Sequence, residues 1–140
     1  MGQSTSTNRN VNFEDIQMIM KNPELYILIN TLPISQQQCL ISYTVPADDE
    51  ENIINRHLKE YKDVNIVIYG KNCNDESVIK KYNQLISMGF QNVFCYTGGL
   101  FEWLLLQDIY GDKLFPTTKK ELDILKFKSS STLNIRLLKF

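Results

Sequence analysis

Asn65-Ile66-Val67-Ile68-Tyr69-Gly70 is the stretch on which the fold turns. A run rich in β-branched residues and stopped by a glycine forms a strand. Because its apolar residues are continuous rather than alternating, both of its faces are buried, and strands of that kind pair in parallel. Downstream, a polar loop of Lys71 to Glu76 leads into a helix from Ser77. There Val78, Ile79, Tyr82, Leu85 and Ile86 recur at helical spacing until Gly89 supplies a left-handed cap. Asn92 to Tyr96 is a second buried strand, running into Thr97-Gly98-Gly99. Leu100 to Ile109 then forms a helix that is apolar around most of its circumference, with Glu102, Gln107 and Asp108 as its polar positions, and so is largely buried.

Upstream, Asn12 followed by Asp15 marks a helix start. Phe13, Ile16, Met18, Ile19 and Met20 give that helix its apolar side before Asn22-Pro23 ends it. Leu25 to Ile29 is another continuous apolar strand, closed by Asn30-Thr31-Leu32-Pro33. Leu40 to Val45 is expected to be a further short strand. The acids Asp48, Asp49, Glu50 and Glu51 then favour the first turns of a helix reaching about Tyr61, with Ile53, Ile54, Leu58 and Tyr61 as its stripe. This alternation over residues 13–110 specifies a single α/β domain. Its central sheet is mostly parallel, of about four to five strands, with helices on both faces.

A length of 140 residues suits one core, and 43% hydrophobic with 22% charged residues is a globular composition. Fifteen basic against sixteen acidic residues give a net charge of −1, which offers no field for nucleic acid. No apolar run approaches the ~20 residues of a membrane span and no secretory signal opens the chain, so a cytoplasmic location is expected. Cys39, Cys73 and Cys95 fit neither a zinc site nor a disulfide framework; Cys39 and Cys95, in apolar surroundings, read as small buried hydrophobes. No metal and no cofactor is expected. His57, between Arg56 and Lys59, reads as a surface residue, and Trp103 as core.

The domain is expected over residues 12–126, with a flexible tail at 1–11 and an extension at 127–140. The tail opens Met-Gly-x-x-x-Ser, which makes Gly2 a candidate for N-acylation and peripheral membrane attachment. A plain disordered tail is the alternative, since one acyl chain binds membranes only reversibly and Arg9 is the sole basic residue nearby. In the extension, Ser129-Ser130-Ser131 is a linker-like break. Leu133 to Phe140, with Arg136 and Lys139, reads as a terminal element docking on the domain, or else lying on a membrane surface. Leu114 and Phe115 offer either a contact patch or packing at the sheet edge.

Ile66 to Tyr69, a loop ending at Ser77, a helix closing at Gly89-Phe90, the Asn92-Val93 strand and Gly98-Gly99-Leu100-Phe101-Glu102-Trp103 follow one another in the order seen in rhodanese-like domains. The chain resembles that family over about residues 12–116. The resemblance implies a sulfurtransferase fold, in which a cysteine directly after the strand takes sulfur from a donor such as thiosulfate and passes it to a thiol or cyanide. Here that position is Gly70. The Asp and Arg that brace the family's site correspond to Asn30 and Leu32, and Gln36-Gln37-Gln38 stands where the family often has Gly-His.

A loop between a buried strand and a helix start turns its N–H groups inward and cradles anions. The candidate cradle is Gly70, Lys71, Asn72, Asn74, Asp75, Glu76 and Ser77, with Gly98 and Gly99 as a second loop, which most simply serves as a tight turn. Cys73 is the candidate nucleophile. The helix N-terminus and Lys71 favour its thiolate, while Asp75 and Glu76 oppose it and repel an anionic donor. Two readings stay open. One is a non-catalytic binding or regulatory module with a protein partner. The other is a sulfurtransferase or persulfide carrier using Cys73 with a small anionic sulfur donor. A phosphatase-like relative ranks last, because the phosphate-loop cysteine and arginine are both missing.

Overall fold

The computed structural model describes residues 9–133. Four strands, β1 (Asn10–Val11), β2 (Tyr26–Asn30), β3 (Asn65–Tyr69) and β4 (Asn92–Tyr96), form one sheet in the order β1-β4-β3-β2. Every pairing is parallel, with Asn65 opposite both Tyr26 and Asn92, and Asn10 opposite Cys95. The helices are α1 (Phe13–Lys21), α2 (Ala47–Glu60), α3 (Glu76–Ser87) and α4 (Gly99–Tyr110).

The period-2 geometry of a strand sends neighbouring side chains to opposite faces, and β3 shows why its sequence is continuously apolar. Val67 and Tyr69 join Ile16, Ile19, Trp103 and Leu104 on the face covered by α1 and α4. Ile66 and Ile68 join Ile54, Val78 and Leu85 on the face covered by α2 and α3. Local signals set the helix ends. Asn12 and Asp15 form a reciprocal capping box at the start of α1, at 3.1 and 3.0 Å, and Gly89 takes φ +104° just past α3.

The sheet departs from the sequence reading in one exchange of strands. Leu40–Val45 is not a strand. It makes one isolated bridge to β2, Leu28–Thr44, and one to the returning chain, Ile41–Thr117, where Ser42 N also donates to Pro116 O and Thr118 N to Leu40 O. A turn at Ile41–Thr44, with Tyr43 at φ +70°, breaks it, and the buried Tyr69 hydroxyl holds that turn by accepting from Ile41 N at 3.1 Å and pairing with Thr44 Oγ1 at 2.7 Å. In its place Asn10 and Val11, expected in the tail, pair with β4.

Three side chains also sit differently from expectation. Gln107 is buried in α4, where its amide donates to Phe115 O at 2.8 Å and Thr117 Oγ1 at 3.0 Å; Ile109 takes the outward position instead. Satisfying the carbonyls of the returning chain is what brings an amide inside. Phe127, at the start of the expected extension, is fully buried in the core at the end of a 3-10 turn, Ile124–Phe127. His57 is half-buried, with Nδ1 3.0 Å from Ile53 O. Of the pair at 114 and 115, Leu114 is exposed and Phe115 packs edge-on against the buried Trp103.

Gly2 and nearly all of Leu133–Phe140 lie outside the described residues. Among the described residues, no helix is long and apolar enough to cross a membrane.

Candidate functional site

In an open parallel sheet, sites form beyond the carboxyl ends of the strands. There the loop after β3 and the turn after β4 meet. Gly99 adopts φ +70°, and a Cβ on it would lie 2.8 Å from Asn72 N and 2.9 Å from Gly70 O. Glycine is thus required twice over, for the backbone conformation and for close approach. The first N–H groups of α4 are used on the loop, with Leu100 N donating to Gly70 O at 2.9 Å and Phe101 N to Lys71 O at 2.8 Å. A helix N-terminus that would otherwise attract an anion therefore fixes the loop's carbonyls.

Inside the loop, Asp75 caps α3 and reaches back across the turn. Its Oδ2 accepts from Lys71 N at 2.8 Å, while Oδ1 accepts from Ser77 N at 3.1 Å and from Ser77 Oγ at 2.6 Å. Ser77 Oγ also stands 2.7 Å from Thr31 Oγ1, which joins the loop to the end of β2. A side chain beginning at Gly70 would run into the Asp75 carboxylate and come within 2.7 Å of Val78 Cγ2. The chain's own carboxylate is thus the anion that the Lys71 and Ser77 N–H groups hold. Asn72 is buried, accepts from Asn74 N at 2.9 Å, and donates to Phe127 O at 2.8 Å.

At the end of β2 the structure places two neutral amides together. The buried Asn30 Oδ1 accepts from Leu32 N at 3.0 Å and from Gln37 Nε2 at 2.8 Å, and Asn30 Nδ2 donates to Gln37 Oε1 at 3.2 Å. Above the loop lies an open cleft of about 1040 Å³. Lys71, Cys73, Glu76 and Ser77 line it from the loop, and Lys128 and Ser130 wall it from the other side.

Cys73 is exposed at this cleft, whereas Cys39 and Cys95 are buried. Burial pushes the Cys39 thiol up and the Cys95 thiol to about 11, which keeps both protonated and unreactive. Tyr96 is likewise pushed up by burial and by Glu102, whose Oε1 accepts from its hydroxyl at 2.5 Å. Gly98 belongs to this contact rather than to the cleft, since a Cβ there would collide with Glu102. Among the described residues, no group of three His, Cys, Asp or Glu side chains is placed to hold a metal ion.

The structure gathers Lys71, Asn72, Cys73, Asn74, Asp75, Glu76 and Ser77 around one cleft, and Gly70 and Gly99 behind it. Sequence reasoning missed the Lys128–Thr132 wall, which only the return of the chain through the buried Phe127 creates. It also missed Thr31 as a partner of Ser77.

A family model described as the rhodanese-like domain matches residues 34–106. Among solved structures, the chain is similar to the Alr3790 protein from Anabaena sp., at 21% identity and a TM-score of 0.57 over 83% of this chain and 97% of that one. The solution structure of the rhodanese-like domain of that protein matches at 22% identity and 0.56, over 89% and 87%. A protein from Lactobacillus plantarum matches at 18% and 0.58, over 74% and 88%. No curated protein matches the sequence. At these identities the likeness to solved structures is one of fold.

Proposed function

Because the chain belongs to the rhodanese-like domain family, its model matching residues 34–106, we propose that it is a member in which sulfur transfer has been given up and the fold works as a binding or regulatory module. One observation carries this reading: the Asp75 carboxylate occupies the space in front of Gly70, where the family's nucleophile would stand. A fixed negative charge at that point opposes both a thiolate and an anionic sulfur donor. The neutral Asn30–Gln37 pair supports the same reading, since it supplies no charge to steer a donor. The partner is a protein that engages the loop and the cleft wall beside it.

Cys73 carries the second reading, because it is the exposed thiol of the three and lies at the cleft. In that reaction the Cys73 thiolate attacks the sulfane sulfur of thiosulfate. A sulfur–sulfur bond forms on the protein, the donor's sulfur–sulfur bond breaks, and sulfite leaves with the electron pair. A thiol acceptor then takes the sulfur.

Intact-mass spectrometry of wild type and Cys73→Ser after exposure to thiosulfate or a polysulfide, without reductant, decides between them. The module reading expects no Cys73-dependent gain on folded protein. A gain of one sulfur on wild type that vanishes in Cys73→Ser overturns it and makes the protein a sulfur carrier.

Acylation of Gly2 adds a reversible membrane contact to the module reading. Gly2→Ala is expected to shift the protein from the membrane to the soluble fraction of cells, and unchanged fractionation overturns that part.

A further inference from the structure

The sequence of α4 is apolar around most of its circumference, and a helix of that kind belongs in an interior. The fold covers only one side of it. Leu100, Trp103, Leu104 and Gln107 are buried, while Leu105 is 40% and Ile109 69% exposed. Phe101, Leu105 and Ile109 stand four residues apart and so form one row along the helix, with Phe101 half-buried. Tyr110 and Leu114, which follow, are exposed as well. A Cβ added at Gly111 would meet nothing within 4 Å, so no described residue closes over the end of the helix there.

The charges beside this row select its occupant. Residues 99–114 carry Glu102, Asp108 and Asp112 against the single cation Lys113. Glu102 is engaged with the Tyr96 hydroxyl, but the carboxylates of Asp108 and Asp112 have no hydrogen-bond or ion-pair partner among the described residues. A two-fold contact between copies would bring two net-negative faces together, which like charges oppose. An anionic membrane surface repels the same acids. A row of side chains spaced four apart packs into the groove of a second helix. Shape and charge together therefore fit an amphipathic helix that carries Lys or Arg beside its apolar stripe.

We propose that the outward face of α4 docks a cationic amphipathic helix of a partner protein. Phe101, Leu105 and Ile109 pack into the groove of that helix, and Asp108 and Asp112 pair with its cations. This surface is separate from the cleft, whose lining includes no residue of α4, and the inference does not depend on whether sulfur is transferred. The two are joined through the backbone, since Phe101 N donates to Lys71 O at 2.8 Å.

The test titrates the ¹⁵N-labelled full chain with a helical peptide of about 14 residues made of Leu and Lys in amphipathic order. Its Leu–Glu counterpart and a scrambled Leu–Lys peptide are the controls. The Leu–Lys peptide is expected to bind best, with its largest amide shifts at residues 101–112. Ile109→Asp is expected to weaken that binding about tenfold, and Asp108→Lys combined with Asp112→Lys to turn the preference toward the Leu–Glu peptide. Shifts centred elsewhere, equal binding of the scrambled peptide, or an unchanged preference in the charge-reversed protein overturns the proposal. Three other occupants would overturn it too. A dimer in sedimentation that Ile109→Asp dissociates makes the occupant a second copy, and phosphatidylserine vesicles bound by wild type but not by Ile109→Asp make it a bilayer. Amides of α4 that shift when residues 134–140 are removed, with no peptide added, make it the chain's own end. If Ile109→Asp does not fold, the charge-reversed protein decides alone.

Discussion

The Asp75 carboxylate lies where any side chain on Gly70 would have to begin. Each of the two residues therefore explains the other. Glycine leaves the space, and the aspartate fills it with a charge held by the Lys71 and Ser77 N–H groups.

Installing a cysteine at position 70, which the proposed reading aligns with the family's nucleophile, should not confer sulfur chemistry. Gly70→Cys is expected to destabilise the fold by about 1–3 kcal/mol through crowding against Asp75 and Val78. Gly70→Cys combined with Asp75→Gly should recover part of that loss, and urea unfolding of the two single variants and the double variant measures the coupling. Purely additive losses would mean that the two side chains do not compete for the space.

Asp75→Ala removes the cap of α3 and leaves the Lys71 N–H without its acceptor. A loss of about 1–2 kcal/mol is expected. Hydrogen exchange at Lys71 and Ser77 should rise more than at β3, and protection left unchanged at both would contradict the assigned contacts.

Asn30→Asp puts a carboxyl among neutral amides in a buried position. Burial without a cation raises its folded pKa above the unfolded value, so the neutral form is the one the fold accepts. Stability should then be greatest below pH 4 relative to wild type and fall as pH rises through the folded pKa. Thermal melts of both proteins from pH 3 to 8 check the sign, and a variant that gains stability toward pH 8 refutes it.

Alkaline pH should loosen the protein for a related reason. Burial raises Cys95 to about 11 from 9.0 and raises Tyr69 further, so the unfolded chain releases these protons first. Stability present below pH 9 is lost as pH climbs through 9 to 11. Cys95→Val should flatten the first part of that decline, and an identical slope in both proteins would show that Cys95 does not contribute.

Asn72→Ala cuts the bond to Phe127 O that ties the C-terminal segment to the loop. A cost of about 1–2 kcal/mol is expected, with earlier proteolytic cutting after residue 117 than in wild type. Equal cutting would place the stability of that segment in Phe127 burial alone.

The sheet was legible in the sequence where strands are apolar on both faces, as at Ile66–Tyr69, because burial on both sides leaves a local trace. Leu40–Val45 carried the same trace for another reason. Leu40 and Ile41 are buried under the returning chain at Thr117 and Thr118, and burial without ladder pairing looks alike in one dimension. Asn10–Val11 left no trace, since two residues are too few to show a period. At the candidate site, the glycine at 70 and the neutral Asn30 are plain in the sequence. The seating of Asp75 is not, because it depends on how the turn folds back.

Gly99 presses against the backbone of residues 70–72, and the start of α4 holds the carbonyls of Gly70 and Lys71 from behind. The path of the loop is consequently set from the interior, and its outward side chains at 73, 74 and 76 do not determine it. Evolution, or a designer, can thus rewrite what this surface displays to a partner without renegotiating the route the chain takes beneath it.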